Sequence, residues 1–194
     1  MKLCGLTGGV GMGKSTAAGF LLSRGVRVLD TDDLARQLVQ PGQPALAEIE
    51  KAFGAEMISA SGELKRADLA RRVFADPPAR RQLEAILHPR IRESWLVQVE
   101  IWRAENCPLA IVIIPLLYET RAEAHFGKII CVACSPAAQR DRLAARGWSA
   151  EQIQQCIAAQ WPVEQKIGRA DSVIWTEGAP AVHRQQIEAI LRKI

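Results

Sequence analysis

The sequence predicts an α/β protein, with five parallel strands in one sheet flanked by helices. Two observations predict it. Short, continuously apolar runs recur along the chain with helical patterns between them, as in a doubly wound sheet. The first of these runs also leads at once into a glycine-rich loop that ends in Lys14-Ser15.

The first strand is Lys2-Leu3-Cys4-Gly5-Leu6-Thr7. Gly8-Gly9-Val10-Gly11-Met12-Gly13-Lys14-Ser15 follows and fits G-x-x-x-x-G-K-[ST], the phosphate-binding P-loop. Thr16 to Arg24 then reads as a helix closed by Gly25, so strand, loop and helix come in the required order. A triphosphate packs several negative charges closely. Glycines let backbone N–H groups turn inward as an anion nest, and the helix N-terminus adds its positive end. The expected nucleotide contacts are Gly9, Gly11, Met12, Gly13, Lys14, Ser15 and Thr16. Lys14 is expected on the β- and γ-phosphates, and the Ser15 hydroxyl on Mg²⁺. The motif implies binding of a nucleoside triphosphate without fixing the fate of its γ-phosphate.

The second strand, Val26 to Leu29, runs into Asp30-Thr31-Asp32-Asp33. In open α/β sheets ligands bind beyond the carboxyl ends of strands, which places these carboxylates beside the phosphates. Asp32 is the candidate to accept the proton of an attacking hydroxyl, and a neighbouring carboxylate could hold Mg²⁺ through water. Asp33 reads as part of the start of a helix from Asp33 to Val39, capped by Asp30 or Thr31.

About eighty residues separate the second and third strands, where a single crossover needs about a dozen. The excess predicts a helical insert over 34–106, suited to acceptor specificity. Within it Pro77-Pro78 reads as a turn between helices. His88-Pro89 reads as a break, with the proline opening the next helix and His88 structural.

The third strand, Ala110 to Ile114, continues into Pro115-Leu116-Leu117-Tyr118-Glu119. Tyr118 is placed to line a pocket, and Glu119 to hold Mg²⁺, a ribose hydroxyl or an arginine; a turn with a solvated glutamate fits equally well. The fourth strand, Ile129 to Val132, contains Cys131, with Cys134 just beyond. That C-x-x-C lies on an apolar strand rather than at a helix start, and no second Cys or His pair is near, so packing is the expected role. Residues 136–168 form a helical stretch in the position of a mobile lid, before the last strand, Ser172 to Trp175. There Gln139, Arg142 and Arg146 are spaced i, i+3 and i+7, one helix face able to clamp a transferring phosphate.

A length of 194 residues and 48% hydrophobic content fit one domain with a real core. A net charge of +4 suits a small anionic substrate and is too weak to argue for nucleic acid. The longest apolar run, Leu109 to Leu117, is far short of a membrane span, and no secretory signal or membrane association is expected. Five cysteines without framework spacing point to a reducing cytoplasm.

Several motifs together resemble the dephospho-CoA kinase family over nearly the whole chain. They are Gly5 to Thr16, Asp30-Thr31-Asp32 with Leu34-Ala35-Arg36, Leu87-His88-Pro89-Arg90-Ile91, and Ile114-Pro115-Leu116-Leu117-Tyr118-Glu119. Gln139-x-x-Arg142-Leu143-x-x-Arg146 and Ile157-Ala158-Ala159-Gln160 complete the ordered set. The resemblance implies transfer from ATP, with Mg²⁺, to the ribose 3′-hydroxyl of dephospho-CoA. It implies Asp32 beside that hydroxyl, Thr7, Arg66, His88, Tyr118 and Glu119 around the acceptor, and Arg142 and Arg146 in the lid. Cys156, Trp175-Thr176, Thr31 and Met12 depart from the family's usual residues.

The expectation is therefore a P-loop NTPase fold with a nucleotide-binding core (1–33, 107–135, 169–194), a helical acceptor-binding insert (34–106) and a helical lid (136–168). The alternatives are a P-loop kinase acting on a nucleoside monophosphate or a polyol, and a nucleotide-dependent switch. A switch calls for a guanine-reading Asn-Lys-x-Asp element, but Cys134-Ser135-Pro136-Ala137 stands in its place.

Overall fold

β1 (Lys2–Thr7) is the middle strand of a five-stranded, all-parallel sheet. A computed structural model describes all 194 residues. The chain divides into two compact units, one formed by Met1–Asp30 with Ile101–Ile194, the other by Thr31–Glu100.

In the first unit α1 (Lys14–Ser23) follows β1, and β2 (Arg27–Asp30) lies at one edge of the sheet. The strand order is β2-β3-β1-β4-β5, with β3 spanning Leu109–Ile113, β4 Lys128–Ala133 and β5 Ser172–Trp175. Register pairs Leu6 with Ile113 and Ile130, Asp30 with Ile113, and Ala133 with Trp175. The carboxyl ends of all five strands therefore share one edge, the edge where ligands bind in such sheets. Two strands extend beyond their apolar runs, because Asp30 joins β2 and Lys128 and Ala133 join β4. Cys4, Leu6, Ala17, Leu21, Ile111, Ile113, Ile130, Val132, Ile174, Ile187 and Ile190 form the core on which the helices rest. At the β5 edge the Gln186 side chain donates to Trp175 O (2.9 Å) and accepts from Trp175 N–H (2.8 Å). That amide takes the place of a further strand and blunts the open edge.

The second unit is helical: α2 (Thr31–Leu38), α3 (Pro44–Phe53), α4 (Arg66–Ala75) and most of α5 (Pro77–Ala104). Its own core gathers Val39, Leu46, Ile49, Phe53, Met57, Leu69, Val73 and Ala79. Three sequence expectations are corrected here. α2 starts at Thr31, so Asp32 and Asp33 both sit in its first turn, where carboxylates favour the helix dipole. α4 and α5 are separated here as expected, at Asp76, but Pro77 and Pro78 open α5 instead of forming the turn itself, since a proline costs no hydrogen bond in the first turn. Pro89 lies inside α5, which runs through His88-Pro89 without a break. An interior proline costs about 3 kcal/mol. Apolar side chains are packed on both sides of it, with Leu83, Ile86 and Leu87 against the unit's core and Trp95 and Val99 buried further on. The Arg90 guanidinium also donates to Ile86 O at 2.6 Å, supplying a donor in the disturbed turn.

Back in the first unit, α6 (Pro136–Ala144), α7 (Ala150–Ala158) and α8 (Val163–Arg169) lie between β4 and β5, and α9 (Pro180–Leu191) ends the chain. Ser135 caps α6, its Oγ accepting from Ala138 N–H at 3.2 Å, and Ser149 with Gln152 forms a capping box on α7. Gly147 (φ 83°) stops α6 with Trp148 N–H bonded back to Leu143 O, so Arg146 is exposed beyond the helix instead of on a face shared with Gln139 and Arg142. No helix is long and apolar enough to cross a membrane.

Candidate active site

The P-loop leaves β1 at its carboxyl end and enters α1. Gly8 has to be glycine: at φ 146° a Cβ would sit 2.2 Å from Val132 O. Gly13 (φ 95°) precedes Lys14 as the N-cap of α1, where no side chain caps the helix and the first turn holds no acid. An uncapped helix start without carboxylates suits an anion. Lys14 Nζ donates to Gly8 O and Gly9 O, both at 2.9 Å, so the ammonium lies over the loop. Gly11 and Met12 are buried, while Ser15 and Thr16 are exposed in the first turn of α1. Ser15 offers one hydroxyl oxygen, which fits Mg²⁺, an ion that usually takes few protein ligands and completes its shell with phosphate and water.

Side chains from beyond β4 hold the loop. Gln139, 5% exposed, donates from Nε2 to Val10 O at 2.7 Å. Val10 N–H donates to Gln160 Oε1 at 2.9 Å. Thr176 Oγ1 donates to Met12 O at 2.9 Å. Arg142 forks onto Thr176, reaching Oγ1 at 2.7 Å and the carbonyl at 2.6 Å.

A second cluster follows β3. Lys166 is fully buried, and its Nζ bonds Pro115 O (2.7 Å) and pairs with Glu119 Oε1 (2.8 Å). The same Oε1 accepts from Trp161 N–H at 2.8 Å, and Thr7 Oγ1 donates to Pro115 O at 3.2 Å. Tyr118 stacks on Trp161 with ring centroids 6.0 Å apart and planes 12° from parallel. The Arg169 guanidinium lies 5.1 Å from the Trp161 centroid and 5.9 Å from that of Tyr118. Tyr118 Oη and Glu119 Oε2 are buried without a hydrogen-bond partner. Burial, reinforced by Cys131 and Glu123, pushes the Tyr118 phenol up to about 12. Glu119 is thus neither solvated nor held by an arginine; a lysine holds it.

The structure brings Thr7, the P-loop, Tyr118, Glu119 and Arg142 into one unit. Asp32, Arg66 and His88 belong to the other. There Asp32 is exposed, and Asp33 pairs with Arg36 at 2.5 Å. Arg66 opens α4 and donates to Arg36 O at 3.1 Å. His88 is half-buried, and burial lowers its pKa, with Arg92 acting the same way and Glu84 opposing. Cys131 and Cys134 are buried free thiols. Lys166 and Trp161 carry no sequence signal, and Thr176 is marked only as a departure from the family's usual residues. A lysine's burial leaves no local pattern, and Gln160 stood out only through its motif.

A family model described as dephospho-CoA kinase matches residues 2–181. Dephospho-CoA kinase of Anaeromyxobacter dehalogenans is 46% identical over 181 residues, covering 93% of this chain and 86% of that protein. The Bdellovibrio bacteriovorus enzyme of the same name is 40% identical over 174 residues, covering 90% and 87%. Among solved structures, a Thermus thermophilus protein superposes with a TM-score of 0.82 at 35% identity, covering 100% of this chain and 97% of that one. Dephospho-CoA kinase from Campylobacter jejuni gives 0.71 at 25% identity, covering 100% and 97%. A shikimate kinase from Bacteroides thetaiotaomicron, at 0.53 and 15% identity over 98% of both chains, shares the fold alone.

Proposed function

The chain belongs to the dephospho-CoA kinase family, and on that footing we propose which of its residues carry the reaction. The enzyme phosphorylates the ribose 3′-hydroxyl of dephospho-CoA with ATP, giving CoA and ADP. In phosphoryl transfer positioning and charge stabilisation dominate. The observation that carries the assignment is Lys14 held over the P-loop carbonyls at an uncapped helix start. In this reading Lys14 exchanges those carbonyls for the β- and γ-phosphates. Gly9, Gly11, Met12, Gly13, Ser15 and Thr16 surround the rest of the triphosphate. Mg²⁺ on Ser15 and phosphate oxygens would neutralise charge there.

Asp32 orients the 3′-hydroxyl and takes its proton. Thr7, Arg66, His88, Tyr118 and Glu119 hold the acceptor, with residues 34–106 as the acceptor-binding insert. Tyr118 Oη and Glu119 Oε2, buried without partners, support this by leaving a donor-acceptor and an acceptor available to a ligand. Residues 136–168 act as the lid. Arg142 leaves Thr176 to grip the transferring phosphate, and Arg146 supports it from the turn after α6. Five free cysteines fit a reducing cytoplasm.

A panel of acceptors with ADP release as readout tests the assignment. Dephospho-CoA should give the highest kcat/KM, well above nucleoside monophosphates and polyols. Preference for another acceptor would overturn it.

A further inference from the structure

Val10 is gripped at both of its polar backbone groups by glutamine side chains. Gln160 Oε1 accepts its N–H at 2.9 Å, and Gln139 Nε2 donates to its carbonyl at 2.7 Å. The Gly9–Val10 peptide is also held at its other end, because Gly9 O accepts from Lys14 Nζ at 2.9 Å. One peptide plane is therefore tied to Gln160 through its N–H and to the proposed phosphate-binding lysine through its oxygen. The next plane is tied to Gln139. The loop has reason to need this. Gly9 and Gly11 flank Val10, and glycine backbone loses the most freedom on ordering. A Cβ on Gly9 would lie 3.1 Å from Gln139 Nε2, so the amide also sits tightly against the loop.

We propose that Gln139 and Gln160 are positioning residues that fix the Gly9–Val10–Gly11 backbone in its phosphate-binding form, coupling the segment between β4 and β5 to nucleotide affinity. Neither glutamine touches the reacting atoms in this role. The inference rests on the P-loop reading above and adds to it how the loop is kept in register.

The two bonds run in opposite directions, and that gives the test its contrast. A carboxylate at position 160 still accepts from Val10 N–H. A carboxylate at position 139 cannot donate to Val10 O and sets two oxygens against each other. Both substitutions add one negative charge beside the same residue, so repulsion of ATP is common to both. Gln139→Glu should therefore raise the KM for ATP about tenfold or more above that of Gln160→Glu. In Gln139→Glu the loss should fall more on the KM for ATP than on kcat. Hydrogen exchange at the Val10 amide without nucleotide reads the contact itself. It should quicken about tenfold or more in Gln160→Met and stay near parental in Gln160→Glu.

Equal KM values for the two glutamates, or parental exchange at Val10 in Gln160→Met, would overturn the proposal. If Gln139→Glu does not fold, Gln139→Met replaces it, and a parental KM there counts against the proposal. Absence of ADP release with dephospho-CoA in the parent would instead sink the kinase reading, leaving the exchange result to judge the clamp alone.

Discussion

Lys166 Nζ lies 2.8 Å from Glu119 Oε1, with the lysine side chain fully buried and the glutamate 15% exposed. This pair ties α8 to the segment after β3, and Pro115 O takes a second bond from the same ammonium. Breaking a buried pair by removing one partner leaves an uncompensated charge and costs about 3–5 kcal/mol.

Lys166→Met should therefore lower unfolding free energy by about 3–5 kcal/mol in chemical denaturation. Adding Glu119→Gln should restore part of that loss, because the stranded carboxylate is gone. A loss below about 1 kcal/mol, the range of a surface pair, would mean the pair is not desolvated in solution.

Much of the fold was legible because its signals are local. The β1–loop–α1 unit needed only an apolar run, glycines and Lys14-Ser15, and β5 needed only Ser172 to Trp175 between polar flanks. The misreadings came where packing overrides local preference. Pro89 says break, yet α5 continues because side chains on both sides of it are packed. The ties of Lys166 to Glu119, Thr176 to Met12 and Gln160 to Val10 join residues distant in sequence, and no spacing rule reveals such contacts.

The cysteines predict a loss of stability on the alkaline side. Burial pushes the Cys4 and Cys131 thiols from an ordinary 9.0 up to about 11. The fold favours the neutral form, so this contribution is whole below pH 9.0 and declines as pH rises toward about 11. Denaturation midpoints measured across that range should fall, and less steeply in Cys131→Ala than in the parent. Parallel slopes would show that Cys131 ionises as easily folded as unfolded.

Arg142 forks onto Thr176 at 2.7 and 2.6 Å through a planar guanidinium, a rigid two-pronged geometry that a lysine ammonium does not reproduce. Arg142→Ala should lower kcat more than it raises the KM for dephospho-CoA, and Arg142→Lys should recover little. Full recovery with lysine would reduce the role to net charge.

Lys14 Nζ donates to two loop carbonyls, at the surface of the proposed phosphate site. Lys14→Ala should melt close to the parent while losing most turnover. Parental turnover of ATP with dephospho-CoA would remove the P-loop from the mechanism.

In the proposed reaction Asp32, in the first turn of α2, serves the 3′-hydroxyl, whereas Asp33 serves the helix through its exposed pair with Arg36. Asp32→Asn keeps the shape and removes the charge and basicity. Positioned bases contribute about 10²–10⁴-fold, and a loose transition state puts the expected loss toward the lower end. The deciding measurement is kcat at saturating ATP and dephospho-CoA, with ATP affinity, for Asp32→Asn beside Asp33→Asn. A fall of about 10²-fold or more is expected in the first with ATP still bound, and near-parental turnover in the second. Near-parental turnover in Asp32→Asn, or a larger loss in Asp33→Asn, would contradict it.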